Sequence, residues 1–460
     1  MDDPRPRIHF APERNWINDP NGLVWHDGEY HLFYQYNPAG TDHANLAWGH
    51  AVSPDLLTWE ELPVAIPATD REQVFSGSVV IDHENTAGFG AGTMVAIYTG
   101  FDPETGQQSQ CVAWSADRGR TFTRSESNPV LDIGSTEFRD PKVLWYGDAG
   151  YWVMAVARPE DRMIQFYRSH NLTAWTHLSD FGAAGSTEGI WECPDLFPLA
   201  VDGEPGATAW VLLVSVVPGG PAGGSATQYF LGRFDGVHFA VDDPEVTRWL
   251  DYGADCYAAV SFSNLPSEER IVIGWMSNWD YAAQTPTSTY RGQMTIPRRL
   301  TLEHKQGELV LRQTPVAGDV KQADSQRLQV AAAECLGSYD MPCLVSARVK
   351  RQNAGEAGFQ IEFGRGDTFT ATVSAAGVHA DRTGLADTGF SPTFAARHTA
   401  PSADCETISV LIDHTAVEIF ADEGRVVLSE VVFPSGTDLQ LSAISIAGDT
   451  VFEDLSVRPV

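Results

Sequence analysis

Four carboxylates in this sequence head similar short strings, and three of them lead into proline. Asp19 lies in Trp16-Ile-Asn-Asp-Pro-Asn-Gly22, Asp140 in Phe138-Arg-Asp-Pro141, Glu192 in Trp191-Glu-Cys-Pro194 and Asp255 in Tyr252-Gly-Ala-Asp-Cys-Tyr257. Proline withholds a ladder donor and fixes φ, which suits a strand entrance where a side chain is aimed rather than paired. Two carboxyl groups flanking one sugar acetal can cleave it, one ionised and one protonated. Crowding acids into a pocket favours that division, because like charges raise one another's pKa. A lone Asp-Pro is an ordinary turn former. Four acids at comparable places in a repeat carry more weight, provided that the repeat exists.

The repeat is legible in five β-type runs centred on Phe33, Ile97, Ala155, Leu213 and Ile273, a step of about 60 residues. Each run is followed by a second β-type segment and a turn, as at Pro54-Asp55, Asp117-Arg-Gly119, His170-Asn171 and Asp235-Gly236. An aromatic residue (Trp59, Phe122, Trp175 or Phe239) then opens another strand. Four-stranded antiparallel meanders repeated five times predict an all-β, five-bladed propeller over residues 1–302, whose inner strands bring matched positions to one axis. The rhythm breaks after Leu302. Residues 303–324 read as a linker with one short strand, and residues 325–460 as a C-terminal β-sandwich.

The charge narrows the partner. With 61 Asp+Glu against 30 Lys+Arg the formal net charge is −31, which disfavours nucleic acid and anionic membrane surfaces and fits a neutral substrate. The 13 Trp, 13 Tyr and 22 Phe supply surfaces for stacking on sugar rings. Residues Met1 to Arg7 are polar and charged, without a signal-peptide pattern, and the apolar run Trp210 to Val217 is too short to span a bilayer. The six cysteines show no metal-site spacing and read mostly as buried free thiols, with Cys335–Cys343 the one candidate bridge. Neither the histidines nor any glycine-rich loop carries a metal or phosphate pattern.

Taken together, the strings around Asp19, Asp140 and Glu192, with Phe75-Ser-Gly-Ser78, Trp48-Gly-His50, Asp251-Tyr-Gly253, Gly274-Trp-Met-Ser-Asn-Trp279 and Arg291-Gly-Gln-Met-Thr-Ile-Pro-Arg298, resemble glycoside hydrolase family 32, the invertases, inulinases and levanases. The resemblance covers about the first 300 residues, and the C-terminal part is similar to that family's sandwich. It implies a metal-independent, cofactor-free retaining enzyme with Asp19 as nucleophile, Glu192 as general acid/base and Asp140 as transition-state stabiliser. It further implies Asn18, Gln35, Trp48, Phe75, Ser76, Arg139, Asp255 and Trp275 as substrate-binding residues. His43-Ala44-Asn45 departs from the family's usual Trp-Gly at the pocket rim.

The expected activity is exo-acting removal of terminal β-fructosyl units from levan, inulin or sucrose by a monomer or weak homo-oligomer. Alternatives are a transfructosylase using the same covalent intermediate, an inverting arabinan- or xylan-cleaving propeller, and a non-catalytic fructan-binding protein. Read as written, the chain is cytoplasmic; a polymer-degrading enzyme would work outside the cell after loss of a leader.

Overall fold

The computed structural model describes residues 3–204, 206–317, 324–352, 355–402 and 405–460. All five anchor residues lie on the second strand of an antiparallel sheet. The first blade comprises Asn15–His26, Glu29–Asn37, Ala47–Ser53 and Glu60–Ile66, and the second Gln73–Asp82, Thr93–Phe101, Gln108–Ser115 and Thr123–Arg124. The third comprises Arg139–Tyr146, Tyr151–Arg158, Met163–Ser169 and Thr176–Gly182, and the fourth Ile190–Ala200, Thr208–Val217, Ala226–Phe234 and Phe239–Val241. The fifth comprises Tyr257–Ser261, Arg270–Trp275, Arg298–Lys305 and Glu308–Pro315. First strands of successive blades lie side by side, and the fifth meets the first, closing the ring. Tyr290–Arg291, from an excursion within the fifth blade, pairs in parallel with Asn15–Trp16 and fastens that closure.

The turn chemistry repeats with the blades. Ser53 with Asp55, Ser115 with Asp117 and Ser169 with Asn171 form the same side-chain-capped turn, each followed by a residue at positive φ (Leu56, Arg118, Leu172). Asn171 thus serves the turn, its Oδ1 accepting the Thr173 and Ala174 amides.

Every inner strand also carries an irregularity at the same level, and the first has a second one between Asn21 and Val24. Ile17 and Pro20 face Tyr36 and Tyr34, and Val74 and Gly77 face Gly100 and Tyr98. Arg139 and Lys142 face Ala157 and Ala155, Glu192 and Asp195 face Ser215 and Leu213, and Tyr257 and Val260 face Trp275 and Ile273. In each, three steps on the inner strand match two on its neighbour, which is a β-bulge with one extra residue. Asp140, Cys193 and Ala258 hold equivalent bulge positions in left-handed backbone, with φ of 68, 48 and 52°. Such a conformation costs a non-glycine residue on the order of 1 kcal/mol and persists only where the surroundings impose it.

The linker expected at 303–324 is shorter than that. Residues 308–315 form the outermost strand of the fifth blade, paired with Arg298–Lys305 across a two-residue turn in which Gln306 and Gly307 both have positive φ. Residues 318–323 of that expected linker lie outside the described residues. The C-terminal unit consists of two six-stranded antiparallel sheets around one apolar core that includes Phe359, Phe369, Ile419 and Phe452. Cys335 and Cys343 are not bridged; one is exposed and the other buried, on strands of different sheets.

Buried ion pairs join the two units. Arg298 of the fifth blade binds Asp251 of the propeller and Glu418 of the sandwich, at 2.9 Å each. His9 sits between Asp413 and Glu418 at 3.0 and 3.2 Å. Burial alone would lower the His9 pKa, but the two carboxylates outweigh it and raise it to about 9. For Asp413 burial works upward and the His9 contact downward, and the contact prevails, to about 2. Gly253 is needed here because a Cβ would lie 2.3 Å from Ser429 backbone atoms, where Tyr252 and Asp255 amides bond the Val427 and Ser429 carbonyls.

Removing Arg298 would leave Asp251 and Glu418 buried without their cation. Arg298→Ala is expected to cost about 3–5 kcal/mol, read by denaturant unfolding. Because His9 is raised in the folded chain, its stabilisation is complete below about 6.5. It is lost as pH rises through about 9. The melting temperature of the parent chain is expected to fall across that alkaline interval, and His9→Phe to lack that component of the fall.

Candidate active site

The bulges put the three family-implied acids on one end of the axis. Asp19 is on the first blade's bulge and half-buried; its Oδ2 accepts the Ser76 hydroxyl at 2.7 Å from the second blade, and its Oδ1 the Asn18 amide at 3.1 Å. Asn18 is itself fixed by the Trp16 indole at 2.8 Å. Asp140, buried on the third blade's bulge, accepts the Cys193 amide at 3.0 Å. The Cys193 thiol lies 3.6 Å from Asp19 and 3.5 Å from Asp140. Glu192 precedes the fourth blade's bulge and accepts Arg139 Nε at 2.8 Å and the Tyr257 hydroxyl. Arg139 is held in turn by Glu137 at 2.5 Å and Gln108 at 3.2 Å.

Register explains this selection. Arg139, Glu192 and Tyr257 occupy the same position, immediately before the bulge, in blades three, four and five. Asp140 lies one residue and Asp19 two residues further along their own strands. With Ser76 of the second blade, donors and acids from all five blades therefore meet, each within hydrogen-bonding reach of a neighbour.

The electrostatics follow from crowding in a poorly solvated place. Burial raises the Asp19 pKa and the Glu192 charge adds to it, while the Ser76 and Asn18 bonds oppose the rise. Burial, then the Glu192 charge, pushes Asp140 up to about 7 against the pull of Arg139. Burial and the adjoining carboxylates push the Cys193 thiol well up, so it stays protonated and acts as a weak donor between two acids.

An aromatic wall stands beside the acids. Trp16, Trp275 and Trp279 cluster together, with Trp275 and Trp279 centroids 4.8 Å apart, and Phe75 stacks on Phe101 at 4.7 Å. His43 meets Trp16 and Trp279 edge-on at 5.7 and 5.1 Å and is exposed, so an imidazole takes the rim position where the sequence departs from its family.

Comparison with known proteins covers nearly the whole chain. The model of the glycosyl hydrolases family 32 N-terminal domain matches residues 9–315, and that of the family 32 C-terminal domain residues 308–459. The chain belongs to glycosyl hydrolases family 32. It is 40% identical to a levanase of Bacillus subtilis, over all of this chain and 71% of that protein. It is 35% identical to an extracellular exo-inulinase of Aspergillus ficuum, over 98% of this chain and 93% of the other. The crystal structure of exo-inulinase from Aspergillus awamori superposes with a TM-score of 0.93 at 33% identity, covering 99% and 98% of the two chains. The protein is accordingly a glycoside hydrolase, a propeller with a C-terminal sandwich.

In this family 32 enzyme the expected substrate-binding residues fall into two groups. Asn18, Phe75, Ser76 and Arg139 stand around the acids. Gln35, Trp48 and Trp275 are buried behind them: Gln35 donates to the Val74 carbonyl, Trp48 to the Phe75 carbonyl, and Trp275 backs the wall. Asp255 is a correction. It precedes the strand that starts at Tyr257, and its carboxylate accepts Arg382 at 2.8 Å, Tyr281 at 2.5 Å and the Val431 amide at 2.9 Å. Its place is the junction with the sandwich, and none of those partners belongs to the acid cluster.

Two neighbours of the acids do not stand out in the sequence. Tyr257 is legible only by counting from the Ile273 strand, which puts it in register with Glu192. Cys193 reads there as a compact core residue, and the meeting of its thiol with Asp19 and Asp140 emerges only from the crossing of blades.

Ser76→Ala removes a bond that lowers the Asp19 pKa, so the acid limb of kcat/KM is expected to move to higher pH; an unmoved limb would contradict the assignment. Tyr257→Phe leaves Glu192 with Arg139 alone and is expected to lower kcat/KM about tenfold or more, with a stability loss no larger than one charge-assisted hydrogen bond, about 1.5–3 kcal/mol, read by denaturant unfolding.

Proposed function

We propose that this enzyme is a retaining exo-β-fructosidase that removes terminal β-fructofuranosyl units from fructans and sucrose through a covalent fructosyl intermediate on Asp19. The observation that carries this reading is the placement of Asp19 and Glu192. They come from blades one and four, are close enough for Glu192 to raise the Asp19 pKa, and differ in their partners. Asp19 is held by a hydroxyl and an amide that orient its oxygens, whereas Glu192 is gripped by a guanidinium and a phenol.

In the first step an Asp19 oxygen bonds to the anomeric C2 as the bond from C2 to the leaving oxygen breaks, and Glu192 gives that oxygen its proton. In the second, Glu192 takes a proton from water, the water oxygen bonds to C2, and the Asp19 carboxylate departs. Asp140 lies beside the developing oxocarbenium charge. With its pKa near 7, it becomes a better anion as positive charge grows next to it. The levanase and exo-inulinase relatives support a fructan substrate.

The proposal is tested by incubating the protein with sucrose, inulin and levan and following products by NMR from the first turnovers. Free fructose as the only early product, in the β configuration, is expected from all that react. First-formed α-fructose would indicate inversion, and transfer products at low substrate would indicate a transfructosylase. Asp19→Asn and Glu192→Gln are each expected to lower kcat by about 10³-fold or more with the fold intact.

A further inference from the structure

A cavity lies along the inner strands of blades two to four, beyond the acids. It has a volume of about 480 Å³ and is lined by residues of blades two to five, within the range of about 300–1,000 Å³ usual for small-molecule sites. Along the third blade's inner strand it begins at Lys142 and reaches Trp145. Trp145 is five residues beyond Asp140, about 16 Å at about 3.3 Å per residue. The acids and the cavity therefore lie toward opposite ends of that strand.

Three features of this cavity are not accounted for by folding. Trp145 is 45% exposed, whereas the chain's other twelve indoles are buried or half-buried, and its ring is held edge-on by Trp152 at 5.0 Å. Asp195 is fully buried on the fourth blade; one oxygen binds Lys142 at 3.0 Å and the Ser261 amide, and its Oδ1 has no partner among the described residues. Arg270 lies over the Phe197 ring at 4.9 Å and bonds the Phe262 carbonyl, yet its Nε is buried without an acceptor among the described residues. A free acceptor, a free donor and an exposed aromatic face thus line one pocket.

The lining also argues about charge. Lys142 and Arg270 are matched by Asp82, Glu84 and Asp195, so an anion gains nothing. A neutral ligand with hydroxyls that both donate and accept, and with an apolar ring face, meets all three features.

We propose that this cavity is a second carbohydrate-binding site, in which a sugar unit of a neutral glycan stacks on Trp145 and bridges Asp195 and Arg270 through its hydroxyls. A chain held there would remain beside the enzyme between cleavages at the acids. That the glycan is the enzyme's own fructan rests on the activity proposed above.

The test is electrophoresis through native gels containing levan, inulin, dextran or no polysaccharide, run in the Asp19→Asn background so that the matrix is not digested. Retardation by levan or inulin is expected, weakened at least threefold by Trp145→Ala and largely kept by Trp145→Phe. With Asp19 intact, Trp145→Ala is expected to hydrolyse sucrose within twofold of the parent, which also shows that the surface substitution leaves the fold in place. Equal retardation of Trp145→Ala and its parent in every gel, or none for either, would overturn the site. Retardation that depends on Trp145 in a chain releasing no fructose would support the cavity and overturn the activity reading instead.

Discussion

One extra residue at the same level of each inner strand is the constraint from which the site follows. A regular strand sends successive side chains to alternate faces, so a propeller of flat blades would offer the axis only every second residue. The bulge breaks that alternation and lets neighbouring residues turn toward the same space. Asn18 and Asp19, Phe75 and Ser76, and Glu192 with Cys193 reach the pocket region as adjacent pairs for this reason. Proline at 141 and 194 suits these places, because the extra residue leaves the ladder without a partner there and a missing N–H costs nothing, and Pro20 takes the first paired position after its bulge, opposite Tyr34.

The second domain acts on this geometry through the fifth blade. Asp251 and Asp255 precede the strand that carries Tyr257; Asp251 accepts Arg298 of the fifth blade and the Ser429 amide of the sandwich, and Asp255 accepts Arg382 and the Val431 amide of the sandwich. The segment that delivers a donor to Glu192 is thus gripped from behind by the sandwich. Buried pairs of this kind stabilise weakly in themselves, but losing one member strands a charge, so they fix one relative placement of the two domains. Arg382 is central: it binds Asp255 and Glu430 and lies 4.1 Å from the Phe394 ring.

Much of this is legible in the sequence because the period is carried by apolar second strands, whose composition is set by burial between blades. Phe33, Ile97, Ala155, Leu213 and Ile273 are each fully or almost fully buried, and their spacing yields the blade count. Asp19, Asp140 and Glu192 are legible because each lies next to, or one residue from, a proline that marks the bulge. Asp255 is misplaced by the same reasoning, since distance to the next strand is a poor proxy for register when the intervening turn varies; its partner Arg382 lies more than a hundred residues away. The last strand of the fifth blade reads as linker because an excursion with Trp279 and Tyr290 separates the hairpin that contains it from the blade's first two strands, although Gln306-Gly307 is a hairpin turn.

The most direct test of the account is to catch the covalent step. Glu192→Ala, supplied with a fructosyl donor whose leaving group needs no proton, such as fructosyl fluoride, should form the intermediate and resolve it slowly. Mass spectrometry of the digested protein is then expected to find one added fructosyl unit on the peptide carrying Asp19. Turnover of the donor with that peptide unmodified, or an adduct on Asp140 or Cys193 instead, would contradict the claim that the bulges aim Asp19 at the anomeric carbon.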